Sequence, residues 1–131
     1  EKLSAEAKKY IAPLPIDYEP DEEAAGMFGL MMMTSGKHTD PENVAKAQAL
    51  KDATMGWFIA QNLKSKFVHL NGNYHSDFKK GIITYLNKYR PGLKIATVCS
   101  VRQDDIKKLG EENEGRADFY ICVPTDMTMT Y

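Results

Sequence analysis

The sequence predicts an α/β domain, a parallel sheet with flanking helices behind a mainly helical N-terminal part. Two observations lead there. Three apolar, β-rich runs, Phe67–Leu70, Ile95–Val101 and Ala117–Val123, are separated by helical segments, and that order implies right-handed parallel crossovers. Ahead of them, residues 40–63 carry a long helical pattern. The chain is therefore read as one α/β domain or the C-terminal portion of one. Residues 1–63 form its mainly helical segment and 64–131 its βαβ-αβ segment.

Each element follows from local chemistry. Ala12-Pro13-Leu14-Pro15-Ile16, then Glu19-Pro20, is a loop, because its prolines restrict the backbone to extended or turn conformations. Its apolar side chains are expected to lie across a neighbouring surface. Asp21 can cap a helix with Glu22 and Glu23 in its first turn, running through Met31-Met32-Met33. Asp40-Pro41-Glu42 starts the longest helix, reaching about Leu63, with Leu50, Thr54, Trp57 and Phe58 expected on its core face. Gln48, Asp52, Met55 and Ile59 form an adjacent strip. A carboxylate there needs a partner, since burying it unpaired is costly.

Phe67-Val68-His69-Leu70 is expected as a short strand and Asn71–Ser76 as a turn. A helix follows to about Tyr89, with Phe78, Ile82, Tyr85, Leu86 and Tyr89 on one face, and Arg90-Pro91-Gly92 stops it. Residues 104–115 are a charged helix or loop. Three strands offer little sheet for so much apolar strand surface. The chain is accordingly expected to be part of a larger domain, or to pair with a second copy or an N-terminal segment.

Composition narrows the function. The chain has 131 residues, 43% hydrophobic and 27% charged, with a net charge of −1, ordinary values for a globular domain. No basic stripe is present to bind phosphates, which sets nucleic-acid binding aside. No apolar run is long enough to span a bilayer. There is no signal peptide, but a chain opening at Glu1 says nothing about compartment on that account. Cys99 and Cys122 sit in apolar runs and read as buried free thiols.

Chemistry concentrates at Gly72-Asn73-Tyr74-His75. Ligands of parallel α/β sheets gather where strands give way to helices. The glycine permits a tight or positive-φ turn. Tyr74 and His75 both carry side chains able to ligate a metal or haem iron. The plain alternative is an ordinary turn with a locally bonded histidine. His69 reads as a core histidine and His38 as a solvated one, while Met31–Met33 suits core filling or a soft apolar ligand surface. No phosphate loop, paired-cysteine zinc motif or nucleophile elbow is present.

The helix Gln48-Ala49-Leu50-Lys51-Asp52-Ala53-Thr54-Met55-Gly56 and the run Val68-His69-Leu70-Asn71-Gly72-Asn73-Tyr74-His75 resemble two signatures of the ChaN-like haem-binding uptake family of the Tiki superfamily. These are its Gln…Asp-x-x-Met-Ala helix and its strand with Gly-x-x-His. The resemblance covers roughly residues 40–123. It implies an α/β domain of iron-regulated, often lipid-anchored bacterial lipoproteins of the periplasm or outer membrane. It also implies haem as cofactor, dimers that enclose it, and a tyrosine on the iron. The wider superfamily holds metal-dependent peptidases and hydrolases that use the Gly-x-x-His histidine, which maps onto Gly72 and His75. Two departures stand out. The family's first strand, with its acid-and-histidine signature, has no counterpart, and position 56 is Gly in place of Ala.

The reading is thus a haem- or iron-associated binding protein of the cell envelope, with catalytic activity left open. Its site residues are His75, Tyr74, Gly72 and Asp52, with His75 as the metal ligand. Asp52 is expected close to His75 and orienting it, and Tyr18 and Met31–Met33 are candidates for the pocket wall. The alternative is a metal-dependent hydrolase or peptidase with a divalent metal on His75. A catalytic metal needs several ligands, and the sequence offers one credible histidine.

Overall fold

A computed structural model describes residues 3–18 and 40–128. The Asp21 helix, Met31–Met33 and His38 lie outside them. The chain divides into two compact units, Glu1–Leu63 and Lys64–Tyr131.

In the first unit a 3₁₀ turn, Ala7–Tyr10, leads into the proline-rich loop. Ala12 is fully buried, and its N–H donates to Thr54 Oγ1 at 3.2 Å. The Thr54 hydroxyl in turn donates to the Leu50 carbonyl at 2.7 Å. The loop is thereby tied to helix α1, Pro41–Asn62. Asp40 caps α1 by accepting from the Glu42 N–H at 3.0 Å, with Pro41 in the first helical turn, as the sequence predicts. Glu42 and Lys46 add an exposed i,i+4 ion pair at 2.6 Å.

The buried face of α1 differs from the predicted one. It runs through Ala45, Asp52, Ala53, Gly56, Ile59 and Ala60. Leu50, Thr54 and Trp57 are half-buried and Phe58 is exposed. Size explains this. A strip of Ala and Gly permits close packing against the helix axis.

In the second unit, β1 (Val98–Arg102) and β2 (Phe119–Val123) form a parallel pair in which Val98 faces Phe119 and Arg102 faces Val123. The ladder continues through Phe119 N–H to Thr97 O and Gln103 N–H to Val123 O, each 3.0 Å. Cys99 and Val101 point to the buried side, and Val98 and Ser100 to the exposed one. Helix α2, Ile82–Tyr89, buries Ile82, Tyr85 and Leu86. Gly92, at φ +84°, closes its exit. The charged stretch 104–115 is loop with one 3₁₀ turn, Glu111–Asn113. Both cysteines are free thiols, Cys99 buried and Cys122 half-buried. An α/β fold with a parallel sheet and a helical N-terminal part results.

Three expectations fail here. Phe67–Leu70 has no regular secondary structure and joins no ladder among the described residues, so the sheet there has two strands and not three. Phe67, Val68 and Leu70 are 50%, 83% and 88% exposed. A β-prone run becomes a strand only where an edge meets its N–H and C=O groups. His69, within that run, is exposed and not a core histidine. Phe78 is not on the α2 face. Its φ of 56° breaks the helical path, which restarts only after Gly81, φ 55°. No helix among the described residues is long and apolar enough to cross a membrane.

Candidate functional site

The Gly72–Ser76 segment is a 3₁₀ turn that makes its own framework. His75 N–H donates to Gly72 O at 2.9 Å, and Ser76 N–H to Asn73 O at 3.0 Å. The Asn71 side-chain amide braces both ends, donating to Gly72 O at 2.8 Å and Ser76 Oγ at 3.0 Å. The Asn73 amide reaches across to the β1 backbone, donating to Ser100 O at 2.9 Å. Because Phe67–Leu70 is not a strand, the turn joins an irregular segment to a second 3₁₀ turn, Asp77–Lys79, and then to α2.

On this frame Tyr74 and His75 are both half-buried, their rings meeting edge-to-face at 5.9 Å and 78°. Gly72 has φ −65° and ψ 143°, open to any residue, so of the two expected forms, tight or positive-φ, the turn is tight without a positive φ. A Cβ at that position would meet only His75 Cδ2, at 4.0 Å, an ordinary contact. Asp52 is buried on α1 in the first unit, whereas Gly72, Tyr74 and His75 belong to the second. Tyr18 is half-buried in the first unit.

Sequence reasoning missed the residues that follow His75. Asp77 Oδ2 accepts from Arg116 Nε at 3.0 Å and Nη2 at 2.6 Å. Asp77 Oδ1 faces the Cys99 thiol at 3.6 Å. Arg116 Nη1 donates to Asn113 Oδ1 at 2.8 Å, and the Arg116 carbonyl accepts from Phe78 N–H at 2.8 Å. Hydrogen bonding to Asp77 holds the Arg116 pKa above its ordinary value. Burial, reinforced by Asp77, pushes the Cys99 thiol up as well, so it stays protonated. Nearby, Asp118 accepts from Lys79 Nζ at 2.6 Å and from the Thr97 N–H and hydroxyl at 2.9 and 3.0 Å. The Lys79 bond, then those from Thr97, lower the Asp118 carboxyl to about 2. Asp77 and Arg116 lie 39 residues apart, and no local pattern in the sequence announces such a pair.

The residues present suit haem. Tyr74 and His75 are adjacent iron-capable donors, and the exposed apolar run Phe67, Val68, Leu70 leads directly into their turn. No three His, Cys, Asp or Glu side chains among the described residues converge to hold an ion.

No curated protein and no solved structure matches the chain. A family model described as "Haem-binding uptake, Tiki superfamily, ChaN" matches residues 1–86, a span that contains Asp52, Gly72, Tyr74 and His75 and ends before β1. The chain belongs to this ChaN family of haem-binding uptake proteins.

Proposed function

We propose that this protein binds haem for haem or iron uptake at the bacterial cell envelope, with the Gly72–His75 turn as its iron-side site. One observation carries the reading: Tyr74 and His75, each able to ligate iron, stand side by side and half-buried on a hydrogen-bonded turn inside the family match. Tyr74 or His75 would hold the iron of a bound haem. Asp52, buried on α1 within the family match, is assigned as a further residue whose loss weakens haem uptake. Phe67, Val68 and Leu70 offer apolar surface for the ligand's face. When bound, haem would supply a redox-active iron centre at this turn. A second copy covering the ligand, and a lipid anchor in the periplasm or outer membrane, complete the proposal.

Absorbance titration of the purified protein with haemin tests it. A saturable Soret shift is expected, weakened about tenfold or more, or roughly 1.4 kcal/mol, in a Tyr74→Phe/His75→Ala double variant. Absence of a shift in the wild type would overturn the proposal, and zinc-dependent peptide cleavage in its place would favour the hydrolase alternative.

A further inference from the structure

We propose that Asp77 and Arg116 form a latch that positions the Tyr74–His75 turn against the sheet. The inference rests on the reading of that turn as the haem site. Three separate stretches meet at the Asp77 carboxylate. Asp77 itself lies two residues past His75, Cys99 comes from β1, and Arg116 comes from the loop before β2. Both carboxylate oxygens are used, Oδ2 by two N–H groups of one guanidinium and Oδ1 by the Cys99 thiol. The pair is largely withdrawn from solvent, its side chains 24% exposed for Arg116 and 15% for Asp77, so it is screened less than a surface ion pair. Arg116 is anchored in turn through Asn113, which is buried and donates to Gln103 Oε1 at 3.5 Å, just past β1.

Backbone strain marks the same place. Phe78 and Lys79 both have positive φ, 56° and 58°, although neither is glycine. Such residues persist only where surrounding structure over-determines them. Here the Phe78 N–H is fixed on the Arg116 carbonyl, and Lys79 Nζ on Asp118. The latch therefore bends the chain sharply right after His75 and ties the bend to the sheet. A strained segment adjoining a ligand turn is a common form of pre-organisation.

Native-state amide exchange on the whole protein, with Arg116→Met and the milder Arg116→Lys, tests the latch without any ligand. The His75, Ser76 and Phe78 amides should exchange at least about tenfold faster in Arg116→Met, and less so in Arg116→Lys, while those of α2 and β1 keep their wild-type rates. Should Arg116→Met fail to fold, Arg116→Lys alone carries the comparison. Uniform acceleration across the unit, or none at the turn, would overturn the latch. Haemin titration then reads its consequence. Wild-type binding with weaker binding by the loosened variant supports the latch, and equal binding by both overturns it. A wild type that takes up no haemin defeats the functional reading alone, since the exchange pattern still stands for or against the latch.

Discussion

Helix α1 carries one stretch that resembles a family signature and the Gly72–Lys79 segment holds the end of the other, Val68–His75, yet their frameworks are built differently. Along α1 the buried face is Ala45, Ala53, Gly56 and Ala60 with Ile59 and Asp52, mostly small residues suited to close packing. In the turn, no residue from Asn73 to His75 is buried, and the shape depends on the amides of Asn71 and Asn73 and on the Asp77–Arg116 pair. Packing is distributed over many contacts and fails globally when disturbed. A few directional bonds fail one at a time. The comparison teaches that changes in α1 should cost fold stability, whereas changes at the turn should alter the site while the fold survives.

The largest effect is expected from overfilling α1. Ala53→Leu introduces a large side chain at a position with no exposure, and should cost about 2–3 kcal/mol in thermal or chemical unfolding. A neutral outcome would mean that the small-residue strip has slack. Next comes Asn73→Ala, which removes the bond to Ser100 O. An exposed neutral hydrogen bond is worth about 0.5–1 kcal/mol. Local exchange at His75 should rise more than global stability falls, and the reverse would blur the contrast between the two regions.

The pH response belongs to the turn side and is smaller, because Asp118 is exposed. Its carboxyl is depressed to about 2 in the folded state, by Lys79 and then Thr97, against an ordinary value near about 4. The contribution is therefore fully present above about 4 and is lost as pH falls toward 2. Acid titration of Asp118→Asn should show a flatter loss of stability across that window than the wild type. Smallest of all is Gly72→Ala. With φ −65° and no close neighbour for a Cβ, it should leave stability within about 0.5 kcal/mol or raise it slightly. A large loss would show that the glycine has a steric duty at this turn.

Much of the fold was legible where the signal is local. Asp40-Pro41-Glu42 marked the start of α1, and Arg90-Pro91-Gly92 the end of α2. Two of three apolar runs became the parallel pair, though shorter than predicted, because only Val98–Arg102 and Phe119–Val123 find a partner edge. Phe67–Leu70 has the same composition and no such edge among the described residues. At the site, Gly72, Tyr74 and His75 were readable as a turn with two iron-capable side chains. Asp77, Arg116 and Asn113 were not, because their roles arise from contacts between distant segments. The helical spacing that enrolled Phe78 in α2 could not reveal two successive positive-φ residues.

Identifying the axial ligand is the most direct test of the claim that the Tyr74–His75 turn holds the iron. Resonance Raman spectra would be taken of the haemin-loaded protein and of its Tyr74→Phe and His75→Ala variants. A tyrosinate or imidazole ligand signature should be lost in one of the two variants and kept in the other. A signature unchanged in both, and in the double variant, would place the iron elsewhere and contradict the account.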